Sequence, residues 1–288
     1  MRFGLLIPFL ILAIATVQAW SPITHVQMAL HAYQPHYPEY YCSGALAPDF
    51  IHFVEGGKCW YTHGHNLTEA KMIALTLYRL AETPQEREFA KGWLTHLMAD
   101  AVAHGCNGTC PNNDLFCPGY VYYEMQKWGQ NHATVEQEVD GLVWYMYGAY
   151  DGKFTKEPVD LIVKAMKELW NLDLPKENVS SALGFVYSTH DANKQYWQIF
   201  GLPYLIELGR EQRHTNVFKY DPELGYCAWD SSIEMIKEGL EEMKAWILYD
   251  ENEDDKISDQ ELVNAIMDWL NGKLDDWELV EVIQKWLE

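Results

Sequence analysis

Positive charge is what this chain has least of. It carries 21 Lys and Arg against 42 Asp and Glu, a net charge of −21. That balance excludes gripping a polyphosphate by counterion release, so no stable nucleic-acid complex is expected. Any phosphate the chain meets has to be neutralised by bound cations. Alternating apolar and polar residues are also scarce, which argues against a sheet protein. Beyond the first residues no apolar run approaches the ~20 residues that a membrane-spanning helix needs. Low-complexity segments and long internal repeats are absent too, which leaves an ordinary folded chain.

What is present is ample core material. Of 288 residues, 48% are hydrophobic and 14% aromatic, enough for one large domain and a small one at roughly 100–200 residues per domain. Residues 1–19 read as an export signal: Arg2, an apolar run from Phe3 to Val17, then Val17-Gln18-Ala19 as the cleavage site. Cleavage there makes Trp20 the mature N-terminus and the protein secreted. The alternative, a membrane anchor, is disfavoured by the shortness of the run. The cysteines Cys42, Cys59, Cys106, Cys110, Cys117 and Cys227 are even in number. In an oxidising compartment that count points to disulfides. Cys106 and Cys110 lack the second close pair that a four-cysteine zinc site requires. Asn66, Asn107 and Asn178 open glycosylation sequons.

Residues 20–238 read as one all-α domain. Helices are expected over 68–81, 159–170, 194–209 and 232–249, with one or two between Tyr120 and Tyr150 broken at Gly129 or Gly141. Thr83-Pro84-Gln85-Glu86 combines a capping box with proline at the first helical position. Phe89, Trp93, Leu97 and Ala101 then recur every four residues up to Gly105. Residues 239–288 form a distinct tail with short amphipathic helices over 259–270 and 275–287. Residues 250–288 hold 13 Asp and Glu against 3 Lys and Arg, about half the acidic excess of the chain.

Four segments carry metal-ligand chemistry. His96, Asp100 and His104 lie at i, i+4 and i+8, one above another on the core side of a helix. Three ionisable groups there are costly to bury unless cations hold them. The alternative is a hydrogen-bonded His-Asp-His chain. His132 and Glu136 repeat the device one turn apart, and Asp140 extends the row as a structural group or one that orients a ligand. At the N-terminus the freed Trp20 amine and carbonyl lie close to His25, although Ser21 and Pro22 also make an ordinary helix start. Finally, Asp49 precedes Thr62-His63-Gly64-His65, with His52 and His31 as lesser candidates.

Together these segments resemble the zinc-dependent phospholipase C family, which shares its fold with the S1/P1 nucleases. The shared pattern is an N-terminal Trp, a His, an Asp, a His, then His-x3-Asp with a following His, then His-x3-Glu, in that order from Trp20 to Asp140. The resemblance implies a multi-helix bundle and three zinc ions. One would be held by Asp49, His63, His96 and Asp100. A second would use His104, His132 and Glu136, and a third Trp20 and His25 with Asp100 as a bridge. Asp49 would also be the catalytic residue that orients or deprotonates the attacking water. The implied reaction is cleavage of a phospholipid or other phosphodiester, with contact at a membrane surface. A nuclease or nucleotidase on the same scaffold is the first alternative, and a non-catalytic zinc- and calcium-binding surface protein the second. Two departures stand out: His104 follows Asp100 by four residues where the family uses six, and the Gly-Asp-x-His-Gln-Pro-Leu-His stretch of the nucleases is missing. His63 is preferred to His65 as the ligand.

The tail holds one further motif. Asp250, Asn252, Asp254, Lys256 (through its carbonyl), Ser258 and Glu261 fall at the ligand positions of the ~12-residue EF-hand loop and imply one calcium ion. Asp255 replaces the usual glycine at position six. The loop resembles half of a dockerin, for which a cohesin-like protein is the implied partner.

Overall fold

The computed structural model describes residues 21–104, 121, 125, 132–211, 222–245, 257–274 and 276–287. Within these it describes no side chain for residues 133, 134, 202–211, 222–228, 244, 245, 276–278, 281, 284 and 285. Trp20, Asp250, Asn252, Asp254, Lys256 and the leader lie outside the described residues. Among the described residues the chain is all-α, without strands. The helices are α1 (Pro22–Ala32), α2 (Pro38–Gly44), α3 (Trp60–His63), α4 (Leu67–Leu80), α5 (Pro84–His104), α6 (His132–Tyr147), α7 (Val159–Trp170), α8 (Lys176–Glu211), α9 (Pro222–Ala245), α10 (Asp259–Leu270) and α11 (Asp276–Leu287). A 3₁₀ helix runs over Ala47–Phe53.

α5 is the axis of the molecule. Nearly every residue from Arg87 to His104 is buried, so over that stretch the helix has no solvent face. Its start is fixed by the expected cap: Thr83 Oγ accepts from the Glu86 amide at 3.2 Å, and the Glu86 carboxylate accepts from the Glu82 amide at 2.7 Å. α2, α4 and α9 pack against it. α2 comes closest because both helices lack a side chain at the crossing. A Cβ on Gly92 would sit 2.0 Å from the Tyr41 carbonyl oxygen, and one on Gly44 2.0 Å from that of Phe89. This approach brings the Ala45 carbonyl within reach of His96, which is how helix packing aims the first candidate ligand.

α1 is placed by a distant carboxylate. Asp140 on α6 accepts from the Thr24 amide at 2.8 Å, the Thr24 hydroxyl at 2.7 Å and the Ile23 amide at 3.4 Å. It thereby satisfies the N-terminal amides of α1 that no helical carbonyl can reach. Asn193 on α8 donates to the same carboxylate at 3.2 Å. Asp140 is therefore the structural group expected, and it fixes His25 one residue beyond Thr24.

Gly141, one of the two expected breaks, is not a break, and Gly129 lies outside the described residues. α6 runs through Gly141, whose missing side chain admits the Trp197 ring: a Cβ there would lie 2.5 Å from it. α8 is continuous from Lys176, well before the expected start at residue 194, and Gly201 is similarly filled by Trp144. Cysteine chemistry also differs from expectation. Cys59 is disulfide-bonded, but Cys42 is a free thiol fully enclosed in the core. Burial pushes that thiol up to about 12. The cause is its position on the inner face of α2, where it packs as a small apolar side chain.

In the tail, α10 and α11 pack on a small core of their own, formed by Ile257, Ala265, Leu274 and Val282. α9 continues across residue 239, with Gly239 against Met98. Arg87, buried in the first turn of α5, donates to the Lys273 carbonyl and ties the tail to the body. No helix of the described residues is long and apolar enough to cross a membrane.

Candidate metal centre

The 3₁₀ helix, α3, α1 and α5 each deliver one or two side chains to a single buried point. Asp49 comes from the 3₁₀ helix, His63 from the end of α3, His25 from α1, and His96 and Asp100 from successive turns of α5. His63 Nε2 and His96 Nε2 are 3.3 Å apart. They lie 3.6 and 3.8 Å from Asp49 Oδ1, and 3.8 and 3.3 Å from Asp100 Oδ2. His25 Nε2 approaches the other oxygen, Asp100 Oδ1, at 3.3 Å, and its ring stacks on His96 with centroids 3.9 Å apart. The potential ligand atoms of Asp49, His63 and His96, and those of His25, His96 and Asp100, fall within 4.8 Å of one another in each set.

The imidazoles are aimed from behind. His96 Nδ1 lies 2.9 Å from the Ala45 carbonyl and acts as donor there. That turns Nε2 toward the cluster, the nitrogen through which a metal would be held. His63 Nδ1 is held by the Thr62 hydroxyl at 2.7 Å and the Cys59 carbonyl at 3.2 Å.

A second set lies on the same face of α5. His104, His132 and Glu136 also bring their ligand atoms within 4.8 Å of one another. His132 Nε2 contacts Glu136 Oε1, and the rings of His104 and His132 meet edge to face at 4.9 Å. His104, four residues after Asp100, keeps to the helix face as the 3.6-residue repeat requires. Its departure from the family spacing therefore does not remove it from the cluster.

Does zinc suit these groups? Both Asp100 oxygens and Glu136 Oε1 are buried and make no hydrogen bond among the described residues. A buried carboxylate in that condition is costly unless a cation accepts its charge. Burial, reinforced by the charges of Asp100, Asp49 and Asp140, pushes the Glu136 carboxyl well above the usual range. Burial and the neighbouring His96 lower His25, and burial lowers His104 to about 4, so both present neutral imidazoles. His96 behaves oppositely: burial disfavours its charge, but Asp100 and Asp49 outweigh that and raise it to about 9. The pocket favours positive charge, and imidazole with carboxylate is a donor set that zinc accepts.

Of the remaining candidates, His65 is exposed and bonds Glu69 at 2.7 Å, apart from the cluster. His31 bonds the Gln27 carbonyl on an exposed helix end. His52 lies closer than its rank in the sequence implied, with Nε2 3.9 Å from Asp49 Oδ1. The three-residue spacing of Asp49 and His52 was its signal, legible once the segment is known to be 3₁₀. His190, wholly buried on α8 against Phe154, gave no signal in the sequence and stands apart from both sets.

Comparison with known proteins places the chain among relatives. Two uncharacterized proteins of Archaeoglobus fulgidus are 38% identical over 170 residues and 37% identical over 175 residues. These matches take in 58% and 59% of this chain. The chain spans about half the length of these relatives, 49% and 56%. No solved structure matches. The family described as zinc dependent phospholipase C matches residues 20–183, which include every candidate zinc ligand. With more than half its length so matched, the chain belongs to the zinc-dependent phospholipase C family.

Proposed function

We propose that this protein is a secreted phosphodiester hydrolase of the phospholipase C type. The single observation that carries the reading is the buried Asp100 carboxylate, enclosed by His25, His63 and His96 with neither oxygen hydrogen-bonded among the described residues. Asp49, His63, His96 and Asp100 would hold one zinc; His104, His132 and Glu136 a second; and His25 with the Trp20 amine and carbonyl a third, with Asp100 shared. The chemistry that zinc supplies when bound is Lewis-acid polarisation of phosphoryl oxygens and activation of water near neutral pH.

The side chains do the rest. Asp49 orients the attacking water and takes its proton. Neutral His25 and His104 keep their lone pairs on the cluster. The Ala45 carbonyl and Thr62 hydroxyl prevent the His96 and His63 rings from turning away. The excess of acidic residues keeps anionic polymers off, which favours a phospholipid over a nucleic acid, met at a lipid surface. The tail loop Asp250–Glu261 would take one calcium ion and offer a cohesin-like partner a docking module. The Ser258–Glu261 capping box that starts α10 supports an ordered end to that loop.

The test is hydrolysis by zinc-loaded protein of phosphatidylcholine, a chromogenic phosphodiester and single-stranded DNA, side by side. The reading expects diacylglycerol from the first, turnover of the second and none of the third. Turnover of DNA alone would make the protein a nuclease, and turnover of nothing a non-catalytic metal protein. N-terminal sequencing of exported protein tests the free Trp20.

A further inference from the structure

The side chains of Asp49, His63, His96, Asp100 and His25 are no more than 3% exposed. Beside them stands one imidazole in contact with water. His52, one turn of 3₁₀ helix beyond Asp49 and on the same face, has a side chain 16% exposed. Its Nε2 is 3.9 Å from Asp49 Oδ1, beyond hydrogen-bond range, and its ring lies 5.8 Å from that of His63. It bonds to nothing among the described residues, yet is held at the open edge of the cluster. The set His52, Cys59 and His63 is compact enough for an ion, but Cys59 is disulfide-bonded and offers no thiolate. His52 is therefore left without a ligand role of that kind.

We infer that His52 is a further catalytic residue, whose ring N–H donates to a phosphoryl oxygen of a diester bound over Asp49, His63 and His96. This rests on the proposed phosphodiesterase reading. A neutral imidazole always carries one N–H, so the role needs no change of charge. A group at the rim, close to Asp49 but beyond hydrogen-bond range of it, can turn toward an incoming oxygen without breaking a hydrogen bond among the described residues.

The experiment uses the zinc-loaded full chain with bis-p-nitrophenyl phosphate, comparing wild type, His52→Leu and His52→Gln. Turnover, zinc content and competitive inhibition by inorganic phosphate are measured on each. His52→Leu is expected to retain its zinc, lose kcat by a factor on the order of 10², the cost of one transition-state donor, and bind phosphate more weakly. His52→Gln, which keeps an N–H, recovers part of both. Unchanged turnover in His52→Leu overturns the inference, and so does loss of zinc from either variant, which would make His52 a ligand. If wild type cleaves no diester at all, the reaction reading itself fails and the inference goes with it.

Discussion

The body and the tail of this chain are both rich in carboxylates, and they use them in opposite ways. Around α5, Asp49, Asp100, Glu136 and Asp140 are buried. Asp140 is satisfied by the amides of α1, and Asp49 and Asp100 are ringed by imidazoles. In the tail, Asp259 is exposed and accepts from the Trp286 indole at 2.9 Å, and the partly exposed Asp268 pairs with Lys273 at 3.1 Å. An exposed carboxylate remains solvated and contributes little. A buried one must find amides, a proton or a cation. The number of acidic residues is thus a poor guide to metal sites; burial beside imidazole is the better one.

The largest expected effect breaks the body half of this comparison. Asp100→Asn removes the charge shared between both oxygens and should cost both zinc and turnover, by a factor on the order of 10³ or more, since a metal supplies several kcal/mol of transition-state stabilisation. Zinc analysis with phosphodiester kinetics checks it, and full zinc retention would contradict the shared role. Stripping the metals with a chelator should come next. It should lower the Tm by about 10 °C, which corresponds to about 3 kcal/mol at this chain length. Rebinding zinc at pH 7 should release a proton from His96, which lies at about 9 without metal, and Glu136, whose carboxyl burial pushes well above the usual range, should add to that release. Zinc binding should therefore weaken as pH falls. Calorimetry in buffers of different ionisation enthalpy measures the protons.

Gly92→Ala tests whether packing aims the site. Its Cβ would meet the Tyr41 carbonyl at 2.0 Å and force α2 off α5, costing about 1–3 kcal/mol and moving Ala45 away from His96. Denaturant unfolding with zinc titration would show stability and affinity falling together; a fall in stability alone would uncouple them. The smallest effect belongs to the tail. Ser258→Ala removes the cap on the Glu261 amide and should cost α10 about 1 kcal/mol, seen as faster hydrogen exchange in that helix with zinc content unchanged. A change in zinc content would mean that body and tail are not separable.

Much of this was legible in the sequence, for identifiable reasons. The Thr83 cap and the four-residue apolar repeat fixed α5. The i, i+4, i+8 row put His96, Asp100 and His104 on one face. What escaped reading depends on long-range packing. Gly141 looks like a helix break until the Trp197 ring is seen against it. Asp140 caps a helix more than a hundred residues away. The place of His52 depends on a 3₁₀ repeat rather than an α repeat. Cys42 counts among six cysteines but packs as core.

X-ray absorption at the zinc edge on purified protein tests the central claim most directly. The account predicts bound zinc with a shell of nitrogen and oxygen only, at about 2.0–2.2 Å. Zinc–sulfur scattering near ~2.3 Å, or folded and active protein without zinc, would contradict it.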